Sequence, residues 1–305
     1  MKKKEILIVY NMYGFQDNNL RYFEEIDKIL LHIQNSKYGN DIRLVISAVL
    51  KSYDDIEDIK NRYGKIVKIF RYDRRYPVQV SFNKTVISSI IEFDENYNGY
   101  LYISAGVLLN DDNSLLDRLI EKNNTNEFGI IHLHVNDDHG PFEPSNYNED
   151  TFIELGYWCN LNITLFNKSL LEFFEKPMSD IFSISASESP YSFVCSSLRK
   201  HYIIMENSTC EHKRMFDSKT PDNIPNEFDI KEGFMWNRKK DFILNDFEAI
   251  KSGIGLRNEA IIVHDPTKYD DKNLSLDSDL KYHVKKHFFS NDSEINYNDI
   301  KYEII

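Results

Sequence analysis

Arg71-Tyr72-Asp73-Arg74-Arg75-Tyr76 is the densest basic cluster in an otherwise acidic chain, and Lys84 follows it closely. Guanidinium groups suit a phosphate or diphosphate because each can donate two parallel, charge-assisted hydrogen bonds. A solvated basic loop is the competing reading. His132-Leu133-His134-Val135-Asn136-Asp137-Asp138-His139 has the residue types of a metal site. On a strand His132 and His134 face the same way, and Asp137, Asp138 or His139 would complete a ligand set. The spacing matches no metal signature, so histidines that hydrogen-bond locally at a strand edge are the alternative. A third group, Glu211-His212-Lys213-Arg214, is either an anion contact or a charged surface turn, and His264-Asp265-Pro266-Thr267-Lys268 poses the same choice. Trp158 and Trp236 can stack on a ring or fill a core. Cys159, Cys195 and Cys210 have no nearby His at a recognised spacing, which speaks against a cysteine nucleophile. The chain has 11 Gly and contains no Gly-x-Gly-x-x-Gly, P-loop or Gly-x-Ser-x-Gly, so dinucleotide dehydrogenases and P-loop kinases are poor candidates.

These groups need a scaffold, and composition says one can be built. The 305 residues are 41% hydrophobic, with 19 Tyr and 20 Phe, enough for a substantial core and against intrinsic disorder. A net charge of −12 speaks against nucleic acid as a partner. No apolar run reaches the length of a membrane span, and the run after Lys2, Lys3 and Lys4 is too short for a signal-peptide core. Three scattered Cys without a Cys-x-x-Cys pair fit a reducing compartment. The expected location is cytoplasmic, with peripheral contact at a membrane through Lys2–Lys4 left open.

The first hundred residues alternate between strand and helix signals. Strands are expected at 5–10, 42–50, 65–70 and 100–103. Between them, helices are expected after Asp17, at 54–63 and at 83–93, with Leu20, Phe23, Ile26, Leu30 and Ile33 as the apolar face of the first. This order implies a mostly parallel sheet with right-handed crossovers. A helix capped by Asn113 or Ser114 and a strand at 128–135 follow. Beyond residue 136 the expected elements are strands at 157–166, 202–205 and 260–263. Helices are expected at 169–174, 187–200 and 238–251. The polar stretch 216–232 reads as a linker, and the chain ends in a charged tail.

The fourth strand, Tyr100–Ile103, runs into Ser104-Ala105-Gly106, and carboxyl ends of central strands are where α/β proteins bind ligands. Together with Tyr10-Asn11 after the first strand, Ser52-Tyr53-Asp54 after the second and Asn83 before the fourth, this order resembles GT-A fold glycosyltransferases, most nearly the inverting family two. The resemblance covers roughly residues 5–215. It implies an α/β fold with a GT-A-like, Rossmann-like central sheet, a catalytic domain over 1–215 and a linker and C-terminal extension over 216–305 packing on it. It also implies a nucleotide-sugar donor, of UDP or GDP type, and a glycan, lipid-linked sugar or protein acceptor. Ser104-x-Gly106 stands where the family carries its metal-binding Asp-x-Asp, and the second strand lacks the acid that usually reads uracil, with Ser47 or Val49 near that place. The resemblance therefore leaves the divalent metal open and points to the basic side chains for the diphosphate. Its donor-binding positions are Tyr10, Asn11, Ser47, Asp54, Arg71, Arg74, Arg75, Asn83, Ser104, Ala105, Gly106 and His212. Glu188 falls at the family's late acid, the general base for the acceptor hydroxyl, while Asp137, Asp138 and Trp158 suit the acceptor side. Two further readings remain: a non-catalytic GT-A-like module that binds a sugar or a partner, and a nucleotidyltransferase. The latter lacks the expected Gly-rich basic loop, because Asn11-Met12-Tyr13-Gly14-Phe15-Gln16 is not one.

Overall fold

A computed structural model describes residues 1–14, 19–50, 53–73, 76, 78–125, 129–133, 135–137, 151–152, 162–169, 201–204, 210–212 and 297–305. The amino-terminal part runs β1 (Lys2–Gly14), α1 (Asn19–Asn35), β2 (Ile42–Leu50), α2 (Tyr53–Tyr63), β3 (Lys68–Tyr72), α3 (Val78–Phe93) and β4 (Glu95–Ser104). β5 (Val107–Leu108), α4 (Leu115–Asn124), β6 (Ile130–Leu133), β7 (Val135–Asp137), β8 (Thr151–Phe152) and β9 (Ile163–Asn167) come next. β10 (His201–Ile204), β11 (Cys210–His212) and β12 (Tyr302–Ile304) complete the described strands.

One sheet has the order β12-β3-β2-β1-β4-β9-β6-β10-β8, and a second, smaller one has the order β5-β11-β7. β3, β2, β1 and β4 are mutually parallel, as the β-α-β alternation requires. The fold is thus α/β, a mostly parallel central sheet flanked by helices. Chain order reverses between β1 and β4, since β2 and β3 build outward on one side before β4 returns to the other. That reversal opens a crevice beyond the carboxyl ends of β1 and β4.

Both faces of the sheet are buried, which explains the near-continuous apolar runs of the strands. Ile6, Ile8, Tyr10 and Met12 of β1 join Leu44, Ile46, Leu101 and Ile103 in a core with Tyr22, Ile26 and Ile29 of α1, Ile59 of α2 and Leu119 of α4. The alternate residues, among them Leu7, Val9, Val45, Tyr100 and Tyr102, are also buried. On that face Phe82 of α3 stands edge-on to Tyr102, with ring centroids 5.3 Å apart.

Several boundaries move from their sequence-based positions for visible reasons. β4 starts at Glu95 rather than Tyr100, because Arg43 donates to the Glu95 carboxylate at 2.7 and 3.1 Å and the Tyr97 hydroxyl does so at 2.7 Å. Gly99 sits within the strand. A Cβ there would lie 3.0 Å from Asn123 Nδ2 and Leu165 Cδ1, so glycine lets β9 and α4 close on β4. β3 starts at Lys68 rather than Lys65, because the amides of Ile66 and Val67 both return to the Tyr63 carbonyl at 2.8 Å and extend the end of α2. α3 starts at Val78, directly after Pro77, rather than at Asn83. The single strand expected at 128–135 is two, β6 and β7, in different sheets. Ser114 does occupy the N-cap of α4, yet its side chain makes no cap bond. Its hydroxyl donates instead to Asp112 Oδ1 at 2.7 Å. The charged tail ends in β12, which pairs antiparallel with β3. The expected helices at 187–200 and 238–251 and the strand at 260–263 lie outside the described residues, as does the 216–232 stretch.

Candidate functional site at the β1–β4 crevice

The crevice is bounded by the ends of β1 and β4, where Asn11 is in register with Ser47 on one side and with Ser104 on the other. All three of these positions belonged to the expected donor site. Asn11 and Ser47 are fully buried, whereas Ser104 and Ala105 are half-buried. The Asn11 side chain is held loosely: its Nδ2 lies 3.5 Å from the Tyr102 hydroxyl, and its Oδ1 is 3.5 Å from Ser81 Oγ. The turn that follows β4 is fixed by backbone bonds. Ser104 N donates to Asn162 O at 2.8 Å, and Ala105 N to Asn11 O at 3.0 Å.

Gly106 then takes φ = 97°, a conformation that side chains with a Cβ rarely adopt. We expect Gly106→Ala to destabilise the protein by about 1–3 kcal/mol. Denaturant unfolding checks this, and an unchanged midpoint would show that the turn relaxes freely.

Directly after this turn, β5 leads into the small sheet. In it His212 of β11 is the register partner of Val107 of β5 and, on its other side, of Asp137 of β7. Two positions drawn from opposite halves of the sequence-based site are therefore neighbours, one residue beyond Gly106. His132 lies in β6 of the large sheet. Asp54 lies in α2. Glu188, Arg74, Arg75, Asp138, Trp158, His134 and His139 lie outside the described residues.

The other described members are held by contacts of their own. Tyr10 is fully buried and faces α1, where its hydroxyl donates to Glu25 Oε2 at 2.5 Å. Arg71 pairs with Glu303 of β12 at 2.6 Å. The neighbouring Tyr72 points to the opposite face, where its hydroxyl donates to Ser81 O at 2.9 Å and meets Thr85 Oγ1 at 2.7 Å. Burial keeps that phenol neutral by raising its pKa. Asn83 Nδ2 donates to the Tyr297 hydroxyl, and Lys84 Nζ to the Tyr297 carbonyl, both at 2.9 Å. Burial pulls the Lys84 ammonium below the usual lysine value. The C-terminal residues therefore engage Arg71, Asn83 and Lys84.

Two buried residues escaped the sequence reading, and both belong to α1. The buried stripe of that helix is Tyr22, Glu25, Ile26, Ile29 and His32, while Phe23, Leu30 and Ile33 are only partly buried beside it. Their signal was a Glu and a His recurring at helical spacing beside apolar residues. His32 sits with Nε2 at 2.8 Å from Asn110 O, which fixes the tautomer that carries its proton on Nε2. Its Nδ1 is buried and has no partner among the described residues. Burial pushes the imidazole below its usual value of 6.5, and Lys28 adds to this against the pull of Asp111 and Asp112. The folded form therefore resists protonation more than the unfolded chain does, so stability is complete above about pH 6.5 and declines as the pH falls below it. Melting scans from pH 8 to 5 should show this decline in the native chain and a flatter profile in His32→Gln. Parallel profiles would sink the assignment.

No family model matches the chain, and no curated protein sequence does. Among solved structures, residues 1–349 of S. aureus TarS match at a TM-score of 0.51 and 9% identity, over 68% of this chain and 60% of that one. A longer S. aureus TarS structure matches at 0.50 and 9% identity, over 68% and 36%. TarS 1–349 in complex with UDP-GlcNAc gives 0.49 at 8% identity, over 70% and 59%. The chain spans less than two thirds of these TarS chains. The likeness is one of fold alone, an α/β, GT-A-like architecture with a mostly parallel central sheet.

Proposed function

We propose that the chain transfers a glycosyl group from a nucleotide-sugar donor to a hydroxyl of a glycan, lipid-linked sugar or protein. The observation that carries this reading is the crevice itself. The Ser104-Ala105-Gly106 turn ends β4, Val107 directly after it is in register with His212, and His212 with Asp137, in a fold shared with glycosyltransferases. The donor would lie across the ends of β1 to β4, near Asn11, Ser47 and the turn, with His212 and the Arg74–Arg75 segment toward its phosphates. Asp137, Asp138 and Trp158 would face the acceptor.

The turn does not suit a divalent metal in the Asp-x-Asp manner. Gly106 has no side chain, and the Ser104 hydroxyl donates to Ala105 O at 3.2 Å. A lone hydroxyl is a poor substitute for a carboxylate pair toward Mg²⁺ or Mn²⁺. Transfer would be a single displacement with inversion. The acceptor oxygen attacks the anomeric carbon, the bond to the diphosphate breaks, and Glu188 takes the acceptor proton. The nucleoside diphosphate leaves with the bonding electrons, its charge met by cationic side chains.

The missing carboxylates favour one competing reading, a GT-A-like module that binds without catalysis. Thermal unfolding with UDP, UDP-GlcNAc and GDP-mannose, each with EDTA and with Mn²⁺, separates the two. Ligand at a hundred times its dissociation constant adds about 2.7 kcal/mol of stability. A shift that survives EDTA supports a metal-independent donor site. A shift only with Mn²⁺ puts the metal ligands elsewhere, with His132, His134 and His139 the first to test. No shift with any nucleotide favours the module.

A further inference from the structure

Because the turn after β4 carries no carboxylate, it can offer a ligand only its backbone and one hydroxyl. Groups of that kind contribute to binding to the extent that they are held in place beforehand. In this fold the hold comes from α1. Glu25 is 1% exposed, and its Oε2 accepts from the Tyr10 hydroxyl at 2.5 Å and from the Gly106 amide at 2.9 Å. One carboxylate oxygen thus joins β1, α1 and the turn, spanning the two strands that bound the crevice from beneath.

Packing alone does not call for an acid there. The neighbouring positions of the stripe, Tyr22, Ile26 and Ile29, are fully buried and hydrophobic. A buried carboxylate is costly unless donors meet it, and apolar residues in place of the carboxylate and its donors together often serve stability as well. Such local conflicts between fold and residue type mark functional positions.

We infer that Glu25 is a positioning residue of the donor site. It pins the Gly106 amide, and so presents the half-exposed Ser104 and Ala105 in one arrangement toward the nucleotide sugar. The inference rests on the glycosyl-transfer reading above. It needs no contact between Glu25 and the donor.

Glu25→Leu, Glu25→Gln and a surface control, Glu24→Ala, form the test. Amide hydrogen exchange across 104–109 reads the turn without ligand, melting reads the fold, and calorimetry with UDP, UDP-GlcNAc and GDP-mannose reads binding. In Glu25→Leu the Gly106 amide should exchange about ten- to a hundredfold faster. Nucleotide affinity should fall at least tenfold, and the melting temperature should fall too, because the Tyr10 hydroxyl and the Gly106 amide lose their buried acceptor. Glu25→Gln keeps an acceptor oxygen and should restore most of the protection and affinity, and Glu24→Ala should match the native chain. A purely structural role would instead lower the melting temperature and leave the nucleotide affinity of the folded protein native. Native exchange at Gly106 in Glu25→Leu, native affinity despite a loosened turn, or a leucine variant that does not fold would each overturn the inference. If the native chain binds none of the three nucleotides, the glycosyl-transfer reading fails and takes the binding role of Glu25 with it. The exchange data still decide whether Glu25 holds the turn.

Discussion

Glu188→Gln should cut glycosyl transfer at least a hundredfold and leave donor affinity within about twofold, since a positioned general base contributes roughly 10²–10⁴ in rate. The amide keeps the size and much of the hydrogen bonding of the acid but cannot take up a proton. The proton leaves the acceptor only as the new bond forms, so the loss falls on the transition state and spares the ground-state complex. The measurement is product formation with the donor that the nucleotide panel identifies, alongside calorimetric binding of that donor. Full activity in the mutant removes Glu188 from the mechanism. A parallel loss of binding and turnover would place it at the donor instead. Glu188 lies outside the described residues, so this experiment carries the assignment rather than any distance.

What could be read in the sequence followed how local its causes are. β2 was expected at 42–50 and runs over Ile42–Leu50, because one apolar, β-branched run feeds a strand buried on both faces. The start of β4 was missed because its cause is distant. Arg43 and Tyr97 hold Glu95 in a strand that Asn96, Asn98 and Gly99 disfavour by propensity. The apolar pattern draws the stripe of α1 through Leu20, Phe23, Ile26, Leu30 and Ile33, of which Ile26 is fully buried and Phe23, Leu30 and Ile33 only partly so. The helix is in fact turned to bury Glu25 and His32, whose partners, Gly106 and Asn110, lie far along the chain. The candidate site shows the same division. Asn11 and Ser104 could be found from strand ends. The nearness of His212 to Asp137 depends on a three-stranded sheet that local sequence patterns do not announce.

A chain ended after residue 296 should lose about 3–5 kcal/mol of stability, a large part of the 5–15 kcal/mol typical of a folded domain. The segment 297–305 closes the β3 edge through Tyr302, Glu303 and Ile304, which pair with Tyr72, Arg71 and Phe70. Ile69 and Ile305 exchange backbone bonds at 3.1 and 2.9 Å. The Tyr302 ring lies 5.6 Å from Phe70 and 5.9 Å from Tyr72, contacts worth about 0.5–1.5 kcal/mol each beyond the area they bury. Deletion also takes the Tyr297 hydroxyl from Asn83 and the Tyr297 carbonyl from Lys84, about 0.5–1.5 kcal/mol for each hydrogen bond. The Arg71–Glu303 pair adds little, because Glu303 is 56% exposed and solvent screens it. These terms overlap, which holds the total to the lower part of their sum. Tyr302→Ala removes the ring contacts but keeps the ladder, so it should cost less than the deletion. The truncated chain should also aggregate more readily, because β3 becomes an edge strand that presents Ile69 and Phe70 beside unpaired backbone groups. Urea unfolding of the three proteins checks the order of stability. Equal midpoints would mean that β12 rests on the sheet without supporting it, and that the engagement of Asn83 and Lys84 by Tyr297 is incidental to the fold.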